Sequence, residues 1–341
     1  MKYKVLSVNT QGIAINIGDY IQALASKQFL PAFDGFINRE ALNVYYDEPT
    51  KIIMNGWYMH KPENWPPTSC IIPLFVAFHV NKTTNNKMFT EKGIAYLKKH
   101  EPIGCRDYYT LENLRSLDIR AYFSGCMTLT LGEKYHSSKK DNKCYFVDPV
   151  IGISWNIFRL LKNIPSYLFH KKDIDYLASK FNFDYGGIKK KCVIVSFYKE
   201  YLKFFTRQTI MSAEYIHHES FKYNEEYKTD MDLLLEAERL IKKYARAKLV
   251  VTSRIHCALP CVGLETPVVF IDNKNQSKDS SCRLDGLREL FNVLTWNNNH
   301  LNSDIKITRR FDIFNVPQNK DSWRTIADNL KRSVFDFVKE D

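Results

Sequence analysis

The hydrophobic positions of this chain fall into short apolar runs that alternate with segments of helical spacing. A β-prone run at 3–8 is followed by a turn at 9–12, and the apolar positions of 20–30 recur at the three- and four-residue spacing of a helix. Asp19 precedes that helix and has the side chain of an N-cap. Further apolar runs and helix-compatible segments lie at 51–55, 70–78, 91–99, 102–105, 111–117 and 121–123. The alternation predicts a parallel sheet covered by helices.

The alternation continues in the second half of the chain. We predict strands at 191–197, 249–252 and 267–271, a helix that Asp230 caps, a helix over 255–262 and a terminal helix within 318–338. This order is typical of a doubly wound α/β fold. Because 341 residues exceed the usual size of one hydrophobic core, we expect two domains. Their expected bounds are 1–150 and 191–317, with a connecting segment at 151–190 and a C-terminal helix at 318–341 that packs back on the body.

Residues 155–172 combine aromatic and aliphatic side chains with basic ones. Trp155, Phe158 and Leu161 recur at helical spacing beside Arg159 and Lys162, and a basic run at 170–172 follows. Two interpretations stay open. An amphipathic helix most often packs its apolar face between protein elements, whereas a basic amphipathic helix can also lie in the surface of a membrane.

Composition narrows the class of protein. Hydrophobic residues make up 45% of the chain, which supplies the apolar surface that folded domains need. The first residues lack the apolar stretch of a secretory signal, and no window holds about 18 successive apolar residues, so we expect a cytoplasmic protein without a membrane-spanning helix. The eight cysteines contain no C-x-x-C pair, the spacing of zinc knuckles and redox dithiols.

The net charge of +11 favours anionic partners in general. Nucleic-acid binders usually concentrate such charge in a stripe or in a recognised module. Here the basic residues are spread along the chain, with local groups at 171–172 and 189–191. We therefore expect no nucleic-acid partner.

The run at 250–256 carries the most specific candidate chemistry. It joins a predicted strand to a predicted helix, and a helix amino terminus at the carboxyl end of a strand offers free amides to an anion. Arg254, after Ser253, could bind a carboxylate or phosphate through its two-pronged guanidinium, and His256 could exchange a proton near neutral pH. The structural alternative is an arginine in an ion pair and a histidine satisfied in the core.

This run, with Gly263 and Thr266 after it, resembles the R-[LI]-H segment of polysaccharide pyruvyl transferases. Two further segments resemble the family's N-x-G-D loop and G-x-R-D segment, in consistent order; they are Asn16, Ile17, Gly18 and Asp19, and Gly104, Cys105, Arg106 and Asp107. The resemblance covers most of the chain. It implies two Rossmann-like domains that face a cleft, similar to the GT-B glycosyltransferases, with the acceptor on the N-terminal side and the donor anion on the C-terminal side.

The resemblance also implies a reaction. Members of the family transfer a pyruvyl group from phosphoenolpyruvate to two hydroxyls of one sugar, as a cyclic ketal, in the synthesis of surface polysaccharides. The reaction uses no cofactor and no metal. Its expected partners are phosphoenolpyruvate and a sugar acceptor, for which a lipid-linked oligosaccharide is one form. A lipid-linked acceptor would give 155–172 a reason to contact the inner face of a membrane.

The motifs of the resemblance and the chemistry of this reaction together suggest the site residues. Arg254 and Arg106 would bind the donor, and Arg283 would add a third cation unless it pairs with Asp285. His256 would act as general acid or bind the phosphate.

On the acceptor side, Asp19 would act as general base or bind an acceptor hydroxyl. Asn16, Gly18 and Ser253 complete the expected substrate contacts, and His218 is either a solvated surface residue or a contact in the cleft. Trp57 would line the acceptor side if it does not belong to the core.

Two other functions stay open. A GT-B glycosyltransferase that uses a nucleotide sugar would have the same architecture and a similar anion site. A non-catalytic basic binding protein is favoured only by the charge.

Overall fold

The structure is a computed structural model and describes residues 1–8, 14–152, 157–181, 186–276, 281–303 and 307–339. The turn expected at 9–12 and Trp155 lie outside these residues. So do the side chains of Phe158, Arg159, Leu161 and Lys162.

In chain order the strands are β1 (Lys2–Tyr3), β2 (Val5–Ser7), β3 (Ile15–Asn16), β4 (Phe36–Asn38), β5 (Thr50–Ile53), β6 (Gly56–Tyr58), β7 (Ile71–Leu74), β8 (Phe78–Val80), β9 (Ile103–Cys105), β10 (Ala121–Phe123), β11 (Cys144–Val147), β12 (Glu214–Ile216), β13 (Glu219–Ser220), β14 (Leu249–Thr252), β15 (Val268–Asn273), β16 (Asn292–Asn297) and β17 (His300–Ser303).

The α-helices are α1 (Ile17–Lys27), α2 (Asn85–Met88), α3 (Glu91–Lys99), α4 (Tyr108–Ser116), α5 (Gly132–Tyr135), α6 (Ile157–Phe169), α7 (Lys171–Lys180), α8 (Gly187–Tyr201), α9 (Arg207–Ser212), α10 (Lys222–Glu226), α11 (Asp230–Arg246), α12 (Ile255–Gly263) and α13 (Trp323–Lys339). Short 3-10 helices lie at Arg39–Val44, Pro62–Asn64, Met127–Leu131, Cys282–Leu284 and Arg288–Leu290.

Parallel pairing dominates the sheets, as expected. The N-terminal part contains the orders β1-β5-β7, β10-β9-β8-β6 and β2-β4, all parallel. The C-terminal part contains a six-stranded sheet of order β12-β11-β14-β15-β16-β17, in which β16 and β17 are antiparallel. A short antiparallel ladder of β3 with β13 joins the two parts, with Asn16 opposite Glu219. The prediction of an α/β fold with parallel sheets is confirmed.

Two helix starts differ from the predicted caps by one to three residues. The N-cap of α1 is Asn16, whose Oδ1 accepts a backbone N–H of the first turn at 3.0 Å, and Asp19 lies within that turn. The N-cap of α11 is Thr229 rather than Asp230, in a reciprocal capping box with Asp232. The box satisfies two backbone donors at once, which favours the earlier start.

The segment 191–197, predicted as a strand, lies in helix α8, and that prediction was wrong. The helix packs against α6 and α7 and contributes to the same apolar core as the six-stranded sheet. It buries neighbouring positions on several faces, among them Val193, Ile194, Val195 and Phe197. Periodicity does not separate such a helix from a buried strand.

Strand β11 belongs to the six-stranded sheet, although its position in the chain suggested the N-terminal domain. Tyr145 pairs with Glu214 of β12 and with Val250 of β14, so its partners lie far along the sequence. The division into domains stays a prediction. A boundary before Cys144 would keep the six-stranded sheet in one unit.

The largest apolar core lies among α1, α11, α12 and α13. Its fully or nearly fully buried side chains include Ile17, Ile21, Leu24, Leu233, Leu240, Ala258, Leu259, Leu330 and Val334. Helix α13 also reaches the first sheets, since Nζ of Lys51 donates to the carbonyl of Phe337 at 2.9 Å. Among the described helices, none is both long enough and apolar enough to cross a membrane.

Candidate functional site

A cleft of about 300 Å³ lies where the carboxyl ends of parallel strands converge from both parts of the chain. One wall carries residues that follow β4, β6, β8 and β9, namely Arg39, His60, Asn81 and Arg106. The opposite wall carries residues that follow β12 and β14, namely His218, Glu219, Arg254 and His256. Ligands of parallel α/β sheets bind at this edge.

Arg254 is held by two carboxylates. Its Nε donates to Oδ2 of Asp148 at 2.7 Å and its Nη1 donates to Oε2 of Glu219 at 2.8 Å. Burial alone would lower the pKa of Arg254, but Asp148 and Glu219 outweigh burial and raise it. The ion pair considered as the structural alternative is therefore present, and Nη2 is the nitrogen that these bonds leave for a ligand.

Asp148 accepts three hydrogen bonds at the carboxyl end of β11. Besides Nε of Arg254, it accepts Nδ1–H of His217 at 2.9 Å and the backbone N–H of His218 at 3.0 Å. Burial alone would raise the pKa of Asp148, but the His217 hydrogen bond and the Arg254 charge lower it to about 2. A charged Asp148 thus positions Arg254 and the backbone of His218. Ser253 also contacts this residue, since its hydroxyl donates to the Asp148 carbonyl at 2.6 Å.

His218 is completely buried, so its interpretation as a solvated surface residue was wrong. Its Nε2 lies 2.8 Å from the hydroxyl of Tyr244, and burial lowers its pKa to about 4. Its Nδ1 has no hydrogen-bond partner among the described residues.

His256 lies in the first turn of α12, on the floor of the cleft. Its Nε2 is buried and has no hydrogen-bond partner in the described part of the chain. Burial, followed by the positive charges of Arg106 and Arg283, lowers the pKa of His256 well below its usual value. Gly18 fits against this ring, because a Cβ at Gly18 would lie 3.1 Å from His256 Nδ1. The imidazole is therefore neutral and closely held.

Arg106 and Arg283 bring two further cations to the cleft. Arg106 is 1% exposed, and its Nε and Nη1 have no hydrogen-bond partner among the described residues; its nearest carboxylate, Asp107, is 3.8 Å away. Nε of Arg283 is likewise buried without a partner in the described chain. Burial and the charge of Arg106 lower the pKa of Arg283. Asp285, the alternative partner for Arg283, pairs with Arg288 at 2.7 Å.

A buried histidine–aspartate pair lies behind Arg106. Nδ1 of His79 is 2.6 Å from Oδ2 of Asp107, which also caps α4 through the backbone N–H of Thr110. Burial lowers the pKa of His79 to about 4, although Asp107 opposes the shift. The pair anchors the strand end from which Arg106 projects.

The N-terminal wall also carries a carboxylate and aromatic rings. Asp19 accepts from Nε2 of Gln22 at 3.2 Å and lies 3.6 Å from Nη1 of Arg39. The guanidinium of Arg39 lies over the ring of Trp57 at 5.4 Å, and the rings of Trp57 and His60 are 4.6 Å apart. Among the described residues, no group of three His, Cys, Asp or Glu side chains is arranged to hold a metal ion.

The fold brings most of the expected site residues to one place. The residues that line the cleft are Asn16, Asp19, Arg106, His218, Arg254, His256 and Arg283. Gly18 lies behind His256, and Ser253 lines a neighbouring cavity of about 360 Å³ that shares Arg254 and Arg283 with the cleft.

Sequence reasoning missed several residues of the site. They are Arg39, His60, Asn81, Asp148 and Glu219. Four of them are polar residues that come directly, or within two residues, after a parallel strand; they are Arg39, His60, Asn81 and Asp148. That position is the signal that could have identified them.

Comparison with known proteins identifies the family of the chain. The family model described as polysaccharide pyruvyl transferase matches residues 16–275, a range that includes Asn16, Arg106, Arg254 and His256. No curated protein and no solved structure matches the chain. The matched range exceeds half of the 341 residues. The chain belongs to the polysaccharide pyruvyl transferase family.

Proposed function

We propose that this protein transfers a pyruvyl group from phosphoenolpyruvate to two hydroxyls of one sugar, in the synthesis of a surface polysaccharide. The observation that carries the proposal is the set of buried, unpartnered nitrogens on Arg106, Arg283 and His256 among the described residues. Burying a polar or charged group without a partner is costly. A cleft built this way is suited to an anion that supplies the missing acceptors.

Phosphoenolpyruvate fits the charge of this cleft. It carries a phosphate and a carboxylate, and guanidinium groups bind both through paired hydrogen bonds. Arg106 and Arg283 would take the phosphate, because Nε and Nη1 of Arg106 and Nε of Arg283 are buried without a hydrogen-bond partner in the described chain. Arg254, with Nε and Nη1 already bonded, would contribute Nη2 to the carboxylate.

The residues can also move the protons of the reaction. The first sugar hydroxyl attacks C2 of phosphoenolpyruvate and loses its proton to Asp19, while His256 delivers a proton to the methylene carbon, which becomes the methyl group. The second hydroxyl attacks the same carbon and the bond to the phosphate oxygen breaks. Two protons are released by the two hydroxyls. One of them balances the proton that His256 gave to the methyl group, and the other leaves with inorganic phosphate.

The negative charge of the bound donor would favour the protonated form of His256. Burial and two arginines keep its imidazole neutral. A bound anion offsets the arginine charges and therefore raises the pKa of a neighbouring histidine. General-acid function at His256 would thus depend on the presence of the donor.

The N-terminal wall would hold the acceptor. Trp57 and His60 line the cleft together with Asp19, and aromatic side chains can pack against the apolar face of a sugar ring. The proposal includes a two-domain arrangement similar to the GT-B glycosyltransferases, in which the cleft separates an acceptor side from a donor side.

A calorimetric titration with phosphoenolpyruvate tests the proposal. We expect salt-sensitive binding that weakens at least about tenfold in Arg106→Ala, because a charged hydrogen bond contributes roughly 1.5–3 kcal/mol. Arg120→Ala is the matched control, since this arginine is 77% exposed and pairs with Glu101 far from the cleft lining. Its affinity should equal that of the unaltered protein.

Nucleotide sugars titrated in parallel distinguish the rival function. Selective binding of a nucleotide sugar, with no heat from phosphoenolpyruvate, would contradict the pyruvyl proposal and favour glycosyl transfer. Equal loss of affinity in Arg106→Ala and Arg120→Ala would show that general charge, rather than the cleft, attracts the anion.

A further inference from the structure

Helices α6, α7 and α8 form a layer of unusual surface composition. Of the fourteen large apolar side chains exposed in the described chain, five lie between residues 164 and 188. They are Ile164, Leu168, Phe169, Tyr176 and Ile188, and Phe169 and Ile188 are 84% and 81% exposed. Soluble surfaces rarely collect such side chains in one place.

The same layer holds nearly half of the net charge. Residues 157–201 contain nine Lys and Arg against four Asp and Glu, a net charge of +5 in a chain of +11. Lys171 and Lys172 are exposed directly after Phe169, and Lys189 is exposed directly after Ile188. Apolar and basic side chains thus adjoin one another.

Polar contacts join the helices that carry these apolar side chains. Nζ of Lys191 donates to the hydroxyl of Tyr167 at 2.9 Å and pairs with Asp175 at 2.8 Å, which joins the start of α8 to the end of α6 and to α7. Ile188 stands one turn before Lys191 in α8, and Phe169 stands two residues after Tyr167.

The described acids of the layer are engaged within the protein. Asp173 is buried and accepts from Arg207 and from the hydroxyl of Tyr198, and Asp175 pairs with Lys191. The exposed lysines therefore face solvent beside carboxylates that are already neutralised. The layer combines an apolar surface with a positive one.

We propose that this layer docks on an anionic lipid bilayer. Phe169, Leu168 and Ile188 would enter the boundary between headgroups and acyl chains, and Lys171, Lys172 and Lys189 would contact the anionic headgroups. A neutral protein partner would not account for the basic residues, and a nucleic acid would not account for the exposed apolar ones.

The position of the layer gives docking a purpose. Ile151, which precedes α6, and Phe181, which follows α7, line the cavity that shares Arg254 and Arg283 with the cleft. Docking would therefore hold this side of the site close to the membrane surface, within reach of an acceptor carried by a lipid.

Co-sedimentation with vesicles tests the docking. We expect the protein to sediment with phosphatidylcholine vesicles that contain phosphatidylglycerol, to remain in solution with phosphatidylcholine alone, and to dissociate at high salt. The double variant Leu168→Glu/Phe169→Glu should lose binding. Lys171→Glu should lower the partition coefficient of the protein between vesicles and solution by at least about fivefold, because each basic residue near an anionic surface raises this coefficient by a factor of that size.

Tyr46→Glu is the matched control, since Tyr46 is 79% exposed and lies outside the layer. It should bind vesicles like the unaltered protein, and every variant should keep its circular dichroism spectrum and its affinity for phosphoenolpyruvate. The latter readout separates failure of docking from failure of the proposed reaction. Equal binding to neutral and anionic vesicles, loss of binding in Tyr46→Glu, or a dimer that Leu168→Glu/Phe169→Glu abolishes without any vesicle binding would overturn the proposal.

Discussion

Gly18 shows how closely single residues constrain the cleft. A methyl group at this position would lie 2.9 Å from Oδ1 of Asn16 and 3.1 Å from both Cβ and Nδ1 of His256. The first of these atoms caps α1, and the others belong to a ring fixed in α12. A side chain at residue 18 must therefore move either the cap or the histidine.

Gly18→Ala should impair the site more than the fold. Alanine stabilises a helix by about 1 kcal/mol relative to glycine, and a disturbed N-cap costs about the same, so the free energy of unfolding should change little. Displacement of His256 should weaken phosphoenolpyruvate binding about tenfold in a calorimetric titration. Gly186→Ala is the control, because a Cβ there meets no atom within 4 Å. Equal affinity of the two variants would show that His256 does not need its present position.

At the scale of elements, the site is assembled from the ends of strands. Asp148 directly follows β11 and binds Arg254, which follows the neighbouring strand β14. The pair is largely buried, with 13% and 29% of the two side chains exposed. Removal of one charge from a buried pair leaves the other without compensation.

Asp148→Asn should therefore destabilise the protein by about 3 kcal/mol, measured as the free energy of unfolding in urea. Asp141→Asn is a matched control, because Asp141 also pairs with an arginine, Arg246, but at an exposed site. It should have little effect, since solvent screens exposed pairs. Similar losses in both variants would refute a special role for Asp148.

The sequence predicted those elements whose signals are local. The strand at 249–252 was located to the residue, because its apolar run ends just before the N-cap of α12, Arg254. The sequence did not indicate that strand β11 pairs with β12 and β14, since these partners are far along the chain. Helix α8 was taken for a strand because other elements cover it on several sides. Likewise, the site motifs identified Arg106 and His256, whereas Glu219 reaches Arg254 only through the folded chain.

At the scale of the whole molecule, buried neutral histidines link stability to pH. Burial lowers the pKa of both His79 and His218 to about 4, below the usual value of 6.5. Between those values the unfolded chain binds more protons than the folded one, so stability falls as the pH falls. Carboxylates with lowered pKa values, such as Asp148 at about 2, add to the loss only below their usual range.

Urea unfolding at a series of pH values checks this linkage. Between pH 6.5 and about pH 4.5, each of these histidines should remove about 2 kcal/mol of stability. In His218→Gln the free energy of unfolding should change less steeply with pH, by the slope that the uptake of about one proton on unfolding produces. His136→Gln, whose side chain is 45% exposed, should leave this pH dependence unchanged. Parallel curves for all three proteins would mean that His218 titrates in the folded state as it does in the unfolded chain.

The ladder of β3 with β13 relates the formation of the cleft to the order in which the chain folds. It places Asn16 opposite Glu219, and the adjoining backbone N–H of Ile17 donates to the carbonyl of His218 at 2.8 Å. Contacts between such distant segments form late, because the chain between them must first be ordered. A nascent chain that has not yet exposed Arg283 outside the ribosome has no complete anion site. If the cleft binds the proposed donor, it gains that capacity only late in synthesis and folding.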